Sequence, residues 1–328
     1  MTIRDFSSLR QESREALDRC GGQKRLALVY TGGLVGLSLL LTVLDYLLAD
    51  RISGTGGLGN LGTRSLLSTL QTMLPILQML VMLGWNAGYT ISVLKILRRE
   101  PVGDRTLLSG FSLFFPMLRA MLLEGLLFFN IAFLSFFVSM QIYLFTPWAE
   151  ELMAVMEPMV PSILEGTAPV VMEDAMLLGA MDAMLPMVLL FGGLYLVLSV
   201  PVSYMLRFST FCLVDAPRGG AIRAMAASRR MLRGNLFRLF RLDLRFWWYH
   251  GLLAIASLIQ MLPLMGIVLP QGFDVTYYVC YGVYLAIIFA VYAFARNRVE
   301  CTYAAAYDSL REKPKENAVV LGNIFDMR

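Results

Sequence analysis

Apolar residues along this chain fall in long blocks, and polar residues gather between them. Blocks of about 20 apolar residues are the length a helix needs to cross a bilayer. Six can be placed, over residues 26–48, 66–97, 117–145, 184–206, 244–270 and 277–295. Open strands cannot satisfy their backbone groups in lipid, so the blocks predict helices. The second and third exceed the hydrocarbon thickness and are expected to tilt, kink or project into the cytoplasm. Pro75 and Pro201 are the expected kinks. The predicted fold is all-α: a polytopic six-helix transmembrane bundle forming one membrane domain over residues 1–328.

Between the fourth and fifth blocks the pattern changes. Residues 207–243 predict a cytoplasmic amphipathic segment. Asp215 is placed to cap a helix and Pro217 suits its first turn. Ile222, Met225, Ala226 and Leu232 fall on one face at helical spacing. Gly234 can end that helix in a left-handed conformation, and Asn235 can start the next. The second helix sets Arg238, Arg241 and Arg245 on one face and Leu236, Leu239 and Phe240 on the other. Trp247, Trp248, Tyr249 and His250 then mark the headgroup level.

Charge sets the orientation. Lys and Arg concentrate in residues 1–25, in the loop after the second span, in 207–243 and in the tail 297–328. The other side carries only Arg51 and Arg64. By the positive-inside rule both termini are cytoplasmic, and six spans satisfy that parity. The first span follows a polar start and is read as uncleaved. The expected location is the bacterial cytoplasmic membrane.

Composition agrees. The hydrophobic fraction is 57% and the charged fraction 16%, too greasy for a soluble enzyme of this length. Net charge is +4, the sum of a basic inner face and an acidic outer one. The external loop over 146–183 holds Glu150, Glu151, Glu157, Glu165, Glu173 and Asp174, with Asp182 at its end, and no Lys or Arg. Its methionines repeat every third residue. Thioethers select Cu(I), but the chain is Met-rich throughout, so an amphipathic cap with Met as filler is the preferred reading and no metal site is assigned. Cys20, Cys212, Cys280 and Cys301 are scattered and imply no disulfide framework.

The arginine-rich stretch admits three partners: nucleic acid, a membrane surface or a bound anion. Its aromatics lie on the apolar face and at a span entrance, not on an exposed stacking platform, which excludes nucleic acid. Arg223, Arg230, Arg238, Arg241 and Arg245 are therefore candidate contacts for anionic lipid or another anion. Within the spans, Glu124, Arg207, Gln78 and Asn86 are the candidate polar positions. Glu124 could pair with Arg119 or Arg207, or face a water-filled cavity. Gln71 and Gln78 share a face and are read as interhelical glue. Gly32 with Gly36, and Gly84 with Gly88, are close-packing signals.

No nucleotide loop, GxSxG, HExxH or metal-spaced Cys/His set is present, and His250 is the sole histidine. The chain is accordingly read as a non-enzyme without a cofactor, related to transport or sensing or serving as a scaffold for a membrane partner. The alternative is a membrane enzyme acting on lipids at the inner leaflet through Glu124, Asp243 and His250.

Asp215, Pro217, Ala224, Ser228, Met231, Gly234, Asn235, Leu239, Phe240, Leu242 and Leu244 stand at the positions of a known pattern, and Tyr307, Asp308 and Leu310 match its C-terminal part. Gly88, Tyr89, Arg99, Glu100, Gly110 and Phe111 resemble its second-span exit. The chain in this respect resembles a bacterial polytopic membrane family known as domain of unknown function 975, over most of its length except about 147–183. It departs from the family pattern at residues 245–249. The resemblance implies the membrane fold and brings no activity with it.

Overall fold

The computed structural model describes residues 3, 5–54, 61–157, 174–265 and 273–311. They form α1 (Phe6–Arg19), α2 (Gln23–Gly54), α3 (Leu61–Leu97), α4 (Asp104–Leu108), α5 (Phe114–Leu144), α6 (Pro147–Met156) and α7 (Asp174–Leu206). There follow α8 (Ser209–Asp215), α9 (Gly220–Leu232), α10 (Leu236–Arg245), α11 (Trp247–Met261), α12 (Phe273–Val291) and α13 (Asn297–Arg311). A π-helical turn, Tyr292–Arg296, joins the last two. No strand occurs among the described residues.

Among the described residues, five helical stretches are long and apolar enough to cross a membrane: Gln23–Ile52, Gly62–Leu97, Asp104–Leu144, Gly179–Asp215 and Val275–Arg311. Their outward side chains are apolar, with Leu40, Leu66, Phe129 and Leu189 all more than 60% exposed. A soluble monomer rarely exposes so much apolar surface. The chain is a multi-pass helical membrane protein. Pro75 lies inside α3, and Pro186 and Pro201 lie inside α7, without ending either helix.

The fifth predicted span differs. Residues 244–270 do not form one rod: Phe246 separates α10 from α11, and α11 has 15 residues before a short 3-10 turn, Leu262–Met265. At 1.5 Å per residue α11 rises about 22 Å, short of the hydrocarbon thickness. Residues 266–270 lie outside the described residues. The predicted tail is also different, because α13 continues the last span through the π turn and buries Tyr303, Ala304, Ala305, Ala306, Tyr307 and Leu310. Five small or aromatic residues in succession, Tyr303–Tyr307, leave no charged face there, so this stretch of the helix is a core element.

Two compact units form, Met1–Ala120 with Arg207–Arg328, and Met121–Leu206. In the first, α3 meets the segment after α4 backbone to backbone. A Cβ on Gly88 would lie 1.8 Å from the Leu107 carbonyl oxygen, and one on Gly110 would lie 2.1 Å from the Gly88 nitrogen. A Cβ on Gly84 would strike the Phe111 ring at 2.6 Å. The Gly84–Gly88 signal is thus a true close approach. Gly32 and Gly36 are not, with nothing within 4 Å of either added Cβ; Gly33 instead faces Trp85 at 2.6 Å. One residue of register on a helix turns the face by about 100°, which motif spacing alone cannot phase.

The N-terminal segment contributes α1, whose Leu9, Ser13, Ala16 and Leu17 are buried at helical spacing. The Ser13 and Thr302 hydroxyl oxygens lie 3.2 Å apart, joining α1 to α13. In the second unit, the Tyr143 hydroxyl sits 3.0 Å from both the Trp148 and Ala183 carbonyls and ties α5, α6 and α7 together. Glu124 is half-buried on α5 in this unit. Within the segment predicted as an external loop, residues 158–173, including Met159, Glu165 and Glu173, lie outside the described residues.

Candidate functional site: a polar cleft between the spans and a charge clamp at their ends

Four helices of the first unit enclose a cleft of about 350 Å3. From α2 come Leu34, Ser38, Leu41, Thr42 and Asp45, which are residues i, i+4, i+7, i+8 and i+11 of one face. From α12 come Tyr277, Tyr281, Tyr284 and Leu285, again one face. Leu74, Pro75 and Gln78 of α3 and Gln260 of α11 complete the lining. The volume falls within the range of small-molecule pockets, and a mixed polar and apolar wall is their usual composition. The Gln78 amide donates to Ser38 Oγ at 3.0 Å, which fixes the floor between α2 and α3. Tyr281 stacks between Tyr277, at 6.3 Å, and Tyr284, at 5.9 Å. Pro75 has no amide to donate to the carbonyl four residues back, so the α3 wall also offers a backbone acceptor. Asp45 is the sole charged residue of the lining. Among the described residues it makes no hydrogen bond or ion pair.

Beyond the cleft, the remaining predicted positions are occupied by structural bonds. Asn86 accepts a hydrogen bond from the Tyr30 hydroxyl. Arg207 holds its guanidinium 4.6 Å above the Tyr303 ring. The Tyr303 hydroxyl donates to Asp243, and His250 Nε2 lies 3.4 Å from the same hydroxyl. Asp243 and His250 thus share Tyr303 within the first unit.

The motif residues converge on a clamp at the far end of α3. Arg98 donates to both Asp215 oxygens, at 2.6 and 2.8 Å, and to both Asp308 oxygens, at 2.8 and 3.3 Å. Asp215 further accepts from the Tyr307 hydroxyl at 2.8 Å and from Arg311 at 2.6 Å. These partners, Asp215 first and Asp308 second, raise the already high pKa of Arg98, so its charge is permanent. Arg98 reaches the site because α3 ends there: Arg99 takes a left-handed conformation at φ 62°, and the Arg99 and Glu100 amides turn back to the Ile96 and Lys95 carbonyls. Asp215 is therefore not a helix cap as expected. It is the last residue of α8, and its carboxylate is consumed by the clamp.

The other motif positions act through the backbone. Pro217 opens a short turn, Pro217–Gly219. Gly234 has φ 84° between α9 and α10, as expected, and the Asn235 carbonyl accepts the first amides of α10. The Asn235 side chain accepts from the Ile3 amide at 3.2 Å, and Arg238 donates to the Ile3 carbonyl at 3.0 Å, which docks the N-terminus. Ser228 Oγ accepts from the Phe208 amide at 3.1 Å, bracing the turn after α7.

The arginine-rich helices have faces unlike the expected ones. In α9 the buried face is Ala221, Ala224, Ser228 and Leu232, while Ile222 is exposed. In α10 the protein covers Leu239 and Leu242, whereas Phe237, Phe240 and Leu244 face outward with Trp247 and Trp248. Arg238, Arg241 and Arg245 form the adjoining exposed stripe, Arg241 over Phe237 at 4.7 Å and Arg245 over Phe6 at 5.2 Å. Arg223 and Arg230 are exposed on α9. The sequence pattern predicts one apolar face where α10 has two, because a hydrophobic residue carries no mark of whether protein or lipid covers it.

Sequence reasoning missed Arg98 and Arg311, which it counted only as orienting charges, and the α12 tyrosines, whose spacing of four and three residues was a usable signal. It also missed Arg296 in the π turn, which is surrounded by the rings of Tyr292, Tyr30 and Tyr89 at 4.3, 4.6 and 4.9 Å. No family model matches the chain, and no curated protein or solved structure matches it.

Proposed function

We propose that this protein binds a small amphiphilic molecule in the cleft between α2, α3, α11 and α12, as a transport-related or sensing component of the bacterial cytoplasmic membrane. The observation that carries the reading is the cleft, with its polar groups set between helices whose outer surfaces are apolar. In this reading α11 crosses the membrane as the fifth of six spans, and both termini are cytoplasmic. Asp45, Gln260 and Tyr277 then lie toward the outer end of the cleft, and Ser38 and Gln78 lie about 10 Å deeper, at 1.5 Å per helical residue. The exposed arginines and aromatics of α10 rest on the anionic inner leaflet, where each basic residue contributes about 1 kcal/mol. The resemblance to domain of unknown function 975 agrees with this architecture and adds no activity.

A photoactivatable neutral amphiphile, dodecanol carrying a diazirine, tests the cleft in nanodisc-embedded protein. Crosslinks should concentrate on the cleft-facing residues of α2 and α12, and Thr42→Phe, which fills the space, should remove them. Uniform labelling over all lipid-facing helix surfaces overturns the proposal.

A second reading draws on the shared contact of Asp243 and His250 with Tyr303: an enzyme acting on lipid at the inner leaflet. Turnover of a phospholipid by the purified protein, abolished by His250→Gln with the fold intact, would favour it over the first.

A further inference from the structure

The chemistry of the cleft narrows what it takes. We infer that its ligand is a monovalent organic cation, an ammonium group on an apolar body, with Asp45 as the counter-charge and the Tyr277–Tyr281–Tyr284 ladder as the cation-facing wall. This inference rests on the cleft being a binding site, as proposed above.

Several observations point the same way. Asp45 is the one charge among the described lining residues, and it has no hydrogen-bond or ion-pair partner among the described residues. A carboxylate between apolar spans is costly unless something pairs with it. Three tyrosines line the wall, and aromatic rings attract cations and are used to recognise quaternary ammonium groups. The volume, about 350 Å3, is far larger than a metal ion needs. A hard divalent cation would also require several oxygen ligands, commonly more than one carboxylate, and the wall has one. An anion is disfavoured because no Lys or Arg lines the cleft among the described residues. The molecule itself uses the same recognition elsewhere: Arg296, a cation, is held among three tyrosine rings.

The test uses full-length protein in nanodiscs of zwitterionic lipid and three probes of one shape. Benzyltrimethylammonium carries the cation, neopentylbenzene is its neutral carbon isostere, and benzylsulfonate is anionic. Tritiated benzyltrimethylammonium should bind saturably, protect the cleft from the diazirine label, and lose affinity about tenfold in Asp45→Asn, the scale of one ion pair at partial burial. Tyr281→Leu should weaken it less, because one ring of a wall is removed. Neither other probe should compete. If the neutral isostere competes equally, or Asp45→Asn binds as the wild type does, the cation inference is wrong while cleft labelling by the neutral amphiphile keeps the broader reading. If no probe binds and labelling avoids the cleft, both fall. Unchanged thermal unfolding of Asp45→Asn identifies a loss of binding as local.

Discussion

Arg98 is the residue on which the packing at the C-terminal end of α3 depends. Its side chain is 28% exposed, and those of Asp215 and Asp308 are 11% and 14% exposed. Removing one member of such a group leaves the others desolvated without a partner, which costs about 3 kcal/mol. Arg98→Ala should therefore lower the thermal unfolding temperature of detergent-solubilised protein sharply. Arg98→Lys should not restore it, since an ammonium is a point charge and cannot fork to two carboxylates at once. Full rescue by lysine would mean that charge alone, without the fork geometry, holds the clamp. Asp45 is the opposite case. It makes no ion pair or hydrogen bond among the described residues, so its substitution should leave the melt unchanged.

Among the helices, contacts depend on how near two backbones come. Gly88→Ala places a Cβ 1.8 Å from a backbone oxygen that cannot rotate away. We expect it to cost at least as much as ordinary overpacking, about 1–3 kcal/mol, and to lower yield of folded protein. Gly36→Ala meets nothing within 4 Å and should be neutral or slightly stabilising, since alanine is the better helix former. Equal melts for the two variants would contradict the packing of α3 against the turn at Gly110. For α10, the arginine stripe and the exposed aromatic stripe are expected to act together on the membrane surface. Arg241→Gln with Arg245→Gln should reduce co-purifying anionic lipid, read by native mass spectrometry, without changing the fold. Retention of the same lipid in the double variant would point to a shaped headgroup site rather than surface attraction.

At the scale of the whole molecule the open quantity is the number of crossings, and parity decides it. Six spans return the C-terminus to the cytoplasm, whereas a short α11 that fails to cross would leave it outside. A membrane-impermeant maleimide should label Gly166→Cys and Gly272→Cys in intact cells. A reporter fused after Lys315 should read cytoplasmic. External activity of that fusion would remove α11 as a span. Native Cys20, the one cysteine that is not buried, should stay unlabelled until the cells are opened.

The membrane class and the first four long helices were legible in the sequence alone, because apolar block length is a local property that a bilayer reads directly, whereas the break at Phe246 was not. The same holds for the Gly234 left-handed turn, where residue type limits what the backbone can do; Gly84 with Gly88 and Gly32 with Gly36 share one spacing, and only the packing makes the first pair a close approach. Which face of each helix meets protein and which meets lipid was decided only by the tertiary structure, since Leu239 and Leu244 are the same residue in different surroundings. The clamp at Arg98 was equally out of reach: its members come from three helices and stand 117 and 210 positions apart along the chain. An arginine in a basic stretch carries no local mark of its partner. The cleft follows the same logic, since α2 and α12 each show an ordinary polar stripe until packing brings Asp45 and the tyrosines to one space.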